Sequence, residues 1–243
     1  MYSIGYLLIA IVDIAVLIWA LGLCRKYPSN ALFLSTVPLL LLWFDNLTIG
    51  LGNSLGEGAP LRAMNYVRFL AHYIGLPMTF IAIGAMARQA GFAWARPKAV
   101  MGTFCLLATY FIVHDLWLFS GASFYPSCFE DTLRYTTYIA EYTACGPDAA
   151  IGSGTRIGPV PAITLSNMLA IFGIVLWVKH GWKWLTIGTL CAMVLFAVPY
   201  QMTGGIVGNV GEPIISIAII ATAAHISRKF GNCFRLSLET GQA

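Results

Sequence analysis

Apolar residues in this chain fall into long runs separated by polar links, and the run lengths decide the architecture. Seven runs can be marked off: Ile4–Cys24, Ala31–Leu51, Tyr66–Ala87, Ala99–Phe119, Ala162–Val178, Trp184–Met202 and Glu212–His225, the last with a start that could lie further upstream. Most are about 17–24 residues long, enough at 1.5 Å per residue to cross a hydrocarbon core of about 30 Å. They fill nearly the whole length and leave no room for a separate soluble domain. The predicted fold is all-α: residues 1–243 form one polytopic bundle of seven transmembrane helices.

The links refine this picture. Arg25–Asn30, Arg88–Lys98 and Lys179–Lys183 are short and force neighbouring helices to run antiparallel. The long link, residues 120–161, is rich in Gly, Pro and Ser and carries Cys128 and Cys145. In an oxidising compartment these two would pair and close a loop of about 18 residues, worth about 3 kcal/mol in the chain-entropy model. Tyr135, Tyr138 and Tyr142 stand three and four apart, so a short helix would gather them on one face, as a cap over the mouth of the bundle. Glu57, Glu130, Asp131, Glu141 and Asp148 read as solvated loop charges, and Cys24, Cys105, Cys191 and Cys233 as small hydrophobes. The glycines of Gly204–Gly211 imitate a dinucleotide-binding loop in letters alone, since no strand precedes them. They predict a flexible turn, with Pro213 in the first turn of the last helix and Glu212 beside its positive end.

Composition agrees with the pattern. Only 10% of the 243 residues are charged, against about 25% in soluble globular chains. The first run has no preceding positive charge and is followed by Arg25-Lys26, the reverse of a secretory leader, so it is expected to be retained. With the amino terminus outside, the cytoplasmic segments hold Arg25, Lys26, Arg88, Arg96, Lys98, Lys179, Lys183, Arg228, Lys229 and Arg235. The outer side holds Arg62, Arg68, Arg134 and Arg156, so the 14 basic residues divide ten to four. That follows the positive-inside rule and puts the carboxyl terminus in the cytoplasm, in a bacterial inner membrane or the endoplasmic reticulum. The net charge of +4 is thus a topology signal. No basic groove with interleaved aromatics points to nucleic acid.

Candidate chemistry lies inside the apolar runs. A charge at the centre of a membrane helix costs about 2.5–3.5 kcal/mol on insertion scales, so such residues usually face a bundle interior. Helical rise places Asp45 and His72 each about 9 Å below the outer boundary, with His114 and Asp115 at a similar level. Glu212 opens the last helix near the same rim, and Asp13 falls closer to the midplane. Asp45, Glu212, Asp115, His72 and His114 are therefore the candidate catalytic groups. Asn46, Arg68, Trp43, Tyr73, Tyr110, Trp117 and Gln201 are candidate substrate contacts. Arg68 and His72 share one helix face, as do Tyr110 and His114; Pro199 is expected to kink the sixth helix beside them. The structural alternatives are an Asp45–Arg68 pair fixing two helices, His114 and Asp115 tethering the fourth, and Asp13 bonding a nearby Ser or Thr.

The patch Trp43-Phe44-Asp45-Asn46 in the second helix and Glu212 in the last resemble the small integral-membrane terpene cyclases of meroterpenoid pathways, which share the length and seven helices. The resemblance implies that one carboxylic acid protonates an epoxide or alkene and another assists. The chain departs from the family in lacking asparagine before a Trp-Glu pair, and the family has no obvious counterpart of Arg68, His72 and His114. The expected function is acid–base chemistry, cyclase- or isomerase-like, on an isoprenoid or other lipid entering from the bilayer. Two alternatives stand: a metal- or haem-binding hydrolase or redox protein using His72, His114, Asp45 and Asp115, and a non-catalytic sensor, carrier or complex subunit. A retinal protein is disfavoured because Glu212–His225 contains no lysine. The sequence names no cofactor.

Overall fold

The computed structural model describes residues 1–239, with side chains to residue 230; the side chains of Cys233 and Arg235 lie outside the described residues. The chain is mostly helical. Five helices follow the first five runs: α1 (Tyr2–Lys26), α2 (Asn30–Leu55), α3 (Ala59–Gln89), α4 (Lys98–Ser120) and α5 (Val160–His180). After them come α6 (Trp184–Phe196), the single turn α7 (Tyr200–Thr203) and α8 (Ile206–Glu239). Six of these, α1 to α5 and α8 through Phe230, are long and apolar enough to cross a membrane. Their outward faces carry Leu106, Trp117, Ile171 and Val178, all well exposed. An apolar exterior of this kind suits hydrocarbon surroundings and would be a liability in water.

The sixth and last runs differ from expectation. Trp184–Met202 is not one kinked helix: it stops at Phe196, and Pro199 precedes a separate turn. A proline lacks the amide hydrogen and clashes with the preceding turn, and here the flanking Gly204 and Gly205, both at positive φ, let the chain reverse. The glycine-rich segment is not a flexible turn either. From Ile206 onward it is helical, so Pro213 lies inside α8 and Glu212 sits nearly two turns from its start.

Helix contacts form a ring in which α1 touches α2 and α8, α2 touches α3, α3 touches α5, α5 touches α6, and α6 touches α8. α4 packs chiefly on the outside of α3. Small residues permit close approach, as is usual where apolar surroundings supply no hydrophobic drive. A Cβ at Gly188 would stand 2.4 Å from Ala218 Cβ, so α6 and α8 meet almost backbone to backbone. The apolar core gathers Leu32, Phe80, Ile83, Met86, Leu169, Leu176, Leu185 and Ile220, away from the polar cluster described below. Phe80 and Phe111 stack at 5.6 Å and fasten α4 to α3. Ser29 caps α2 by accepting from the Leu32 amide at 3.1 Å.

The long link is not helical around its tyrosines. It folds as an antiparallel hairpin, β1 (Tyr125–Phe129) and β2 (Thr132–Thr136), with Tyr135 on β2, Tyr138 bridged to Gly154, and Tyr142 in a 3-10 turn. The three tyrosines thus lie in three different local structures and do not share a helix face. Cys128 and Cys145 are joined by a disulfide that ties β1 to the following segment. β2 lies on the ends of α2 and α3. Gly52 makes this docking possible: a Cβ there would fall 1.6 Å from the Leu133 carbonyl oxygen. Asp131 is not merely solvated, since it accepts from the Tyr2 amide at 2.7 Å and the Ser3 amide at 3.4 Å, holding the start of α1 to the hairpin.

Candidate functional site

Below the hairpin, five helices contribute to one polar cluster. Arg68 on α3, 6% exposed, faces Asp45 on α2 with Nη1 3.3 Å from Oδ1. Its Nη2 donates to the Tyr135 carbonyl at 3.3 Å, so the hairpin backbone holds the guanidinium in place. Its plane also lies 4.4 Å over the Phe69 ring, a favourable cation–π position. Nε has no partner.

From Asp45 the network passes to amides. Asn209 Nδ2 on α8 lies 3.4 Å from Asp45 Oδ2 and donates to Asn46 Oδ1 at 2.8 Å. Asn46 is fully buried, and its Nδ2 donates to Asp13 Oδ2 at 3.0 Å and to Glu212 Oε2 at 2.9 Å. One amide therefore links three helices and uses both hydrogens, each on a carboxylate. Asp13 thus bonds an asparagine and not a Ser or Thr.

Two adjoining cavities border the cluster. A polar one of about 310 Å³ is walled by Asp45, Arg68, His72, Tyr73, Asp115, Asn209 and Glu212, with Phe69 and the Ile157–Pro159 segment. A larger one of about 540 Å³ is mainly apolar, reaching from Asp13 and Glu212 past Trp43, Leu39 and Leu76 to Ile215 and Ile219. His72, Leu76, Pro159, Ala162 and Glu212 belong to both walls. Pro77 and Pro213 take away the amides that would have bonded the Tyr73 and Asn209 carbonyls, so backbone acceptors are freed beside the polar cavity.

The structure thus brings together Asp45, Glu212, Asp115, His72, Asn46, Arg68 and Tyr73, with Trp43 in the apolar wall. It does not bring the others. His114 stacks on Tyr110 at 5.9 Å on the outer face of α4, where Tyr110 and Trp117 are 61% and 73% exposed. His114 Nδ1 meets Asp115 Oδ1 at 3.0 Å, which couples it to the site only through Asp115. Gln201 is exposed on α7. Sequence reasoning missed Asn209 because its segment reads as a turn. The Asn209–Glu212 spacing of three would have exposed it had the helix been started at Ile206.

Arg134 on β2 stands behind the cluster, over the Tyr200 ring at 4.8 Å. Burial, and then the neighbouring Arg68, push its guanidinium down to about 10, so it is charged at neutral pH. Among the described residues no three His, Cys, Asp or Glu side chains gather closely enough to hold a metal ion. Chemically, the site offers carboxyl groups on four helices, one guanidinium, one imidazole and an adjoining apolar volume. No family model matches the chain, and a search of curated proteins found no match.

Proposed function

We propose that the chain is an integral-membrane enzyme that rearranges a lipophilic substrate, isoprenoid or other lipid, by carboxylate acid–base chemistry of the cyclase or isomerase kind. In this reading it crosses the membrane seven times, α6 with α7 counting as the sixth pass. The amino terminus and hairpin face outward and the carboxyl terminus inward, in a bacterial inner membrane or the endoplasmic reticulum. The observation that carries the proposal is the different partnering of two carboxylates on one cavity. Asp45 meets Arg68 and is neutralised by it, whereas Glu212, among the described residues, meets only the Asn46 amide. Glu212 then delivers a proton to an alkene, epoxide or carbonyl carbon skeleton, and ionised Asp45 accepts one from a neighbouring carbon. The proton then returns from Asp45 to Glu212 across the cavity they share, so atoms and charge balance over the cycle without an added reactant.

A general acid–base pair contributes about 10²–10⁴-fold each. Purified protein in phosphatidylcholine vesicles, given a total isoprenoid lipid extract of its host membranes, should convert one component to an isomer of equal mass. Glu212→Gln should lower that conversion at least a hundredfold with unchanged folded yield, and Asp45→Asn should lower it as much per folded molecule, with a smaller yield because Arg68 loses its partner. Full conversion by both variants excludes the chemistry. A carrier would bind the same lipid and yield no isomer.

A further inference from the structure

The wall of the helix ring is incomplete at one place. α6 has 13 residues, about 20 Å of helix against a hydrocarbon core of about 30 Å. Where it stops, the apolar cavity comes to the surface. Ile163 and Asn167 on α5 and Phe196 and Ala197 at the end of α6 line that cavity and are also exposed on the outer face of the bundle. Ile163 is 58% and Phe196 42% exposed, so these side chains border an opening and do not seal it. From this opening the apolar cavity leads inward to the wall it shares with the polar one, at His72 and Glu212.

The two cavities differ in what they can hold. The larger is lined mostly by apolar side chains, with Asp13 near the polar cluster, Asn167 at the opening and Ser35, Thr79, Ser166 and Ser216 between, and suits a hydrocarbon chain. The smaller is rich in both donors and acceptors: Arg68, Asn209 and His72 on one side, Asp45, Asp115 and Glu212 on the other. An anionic head would meet three carboxyl groups, and a cationic one would meet Arg68. A hydroxyl both donates and accepts, and can satisfy either set without a net charge.

We propose that the gap beyond Phe196 is a lateral portal through which a single-chain amphiphile with an uncharged hydroxyl head enters from the bilayer. Its chain lies in the apolar cavity and its head among Asp45, Arg68, His72 and Glu212. This rests on the reading of the site as one for a lipophilic substrate and adds the substrate's shape, head chemistry and route.

The test is photolabelling of the full chain in phosphatidylcholine vesicles by hexadecanol carrying a diazirine at mid-chain, with labelled peptides mapped by mass spectrometry. Label is expected on segments holding Leu39, Leu76, Ile215 or Ile219. Excess hexadecanol should compete at least tenfold better than hexadecanoate or hexadecylamine. Ala197→Trp, at an exposed position, should slow labelling at least fivefold without altering thermal unfolding, and Phe196→Ala should quicken labelling in protein shown to be folded by its unfolding transition. Label confined to the outer helix faces, equal competition by the ionic amphiphiles, or rates unmoved by both portal variants would overturn the proposal. Labelling needs no turnover. Labelled protein that never yields isomer therefore defeats the enzymatic reading and leaves the portal, while turnover without cavity labelling does the reverse.

Discussion

The amide of Asn46 donates to Glu212 at 2.9 Å from a position with no exposed surface. The same nitrogen also serves Asp13, so the geometry of two carboxyl groups on separate helices depends on one neutral side chain. Asn46→Leu removes both donors and the acceptor for Asn209, leaving several polar groups buried and unpaired at about 1–3 kcal/mol each. Thermal unfolding in detergent should fall by several degrees. Asn46→Asp should do worse, because it sets a fourth carboxyl group among Asp13, Asp45 and Glu212. Equal stability of the aspartate variant and the parent would contradict the network.

Arg68 and Asp45 form a partly desolvated ion pair. Removing one member of such a pair typically costs about 3–5 kcal/mol, much of it the price of a stranded charge. Arg68→Met should therefore be strongly destabilising, and Asp45→Asn in the same chain should restore a good part of the loss. A double-mutant cycle by urea or thermal unfolding measures this. A coupling near zero would mean the two charges act independently.

Gly52 is where the hairpin backbone rests on α2. Gly52→Ala forces Leu133 away, because the added methyl would overlap its carbonyl oxygen. Protease cleavage within residues 125–145 should accelerate at least tenfold. Gly22→Ala, at a position with open space around it, is the matched control and should change nothing.

Cys128 and Cys145 are 17 residues apart in sequence. A cross-link closing a loop of that size is worth about 3 kcal/mol. Cys128→Ser/Cys145→Ser, or reduction of the parent, should lower the unfolding midpoint and increase cleavage in the same hairpin. An unchanged midpoint in reductant would show that the bond carries none of the stability of this region.

Much of this architecture is legible in the sequence. Run length and hydropathy locate α1, α2, α4 and α5 within a few residues, because a 3.6-residue backbone in apolar surroundings has few alternatives, while α3 starts at Ala59, seven residues before the run at Tyr66. The last two elements are less legible for the same physical reason. Gly and Pro in 198–213 are turn signals in water, but without competing water a helix persists through Gly208, Gly211 and Pro213. Depth along the helices groups Asp45, His72, Asp115 and Glu212, and all four line the polar cavity. Depth carries no information on azimuth, however. His114 and Asp115 are neighbours and so point about 100° apart; only one could face inward, and Tyr110 and Trp117, four before and three after His114, follow it outward. The tyrosines of the link mislead because helical spacing was assumed where the chain is extended.

The shortness of α6 bears on the lipid as well as on the protein. Thirteen residues present a hydrophobic band about 10 Å shorter than the surrounding core. Acyl chains beside that flank must compress or tilt to meet it, while those beside the 25-residue α1 need not. The annulus of lipid is then uneven around the circumference, softest at the side where α5 and α6 diverge. Membranes of thinner lipids relieve this strain and thicker ones add to it, so the acyl-chain length of the host bilayer becomes a physical control on how easily the flank parts.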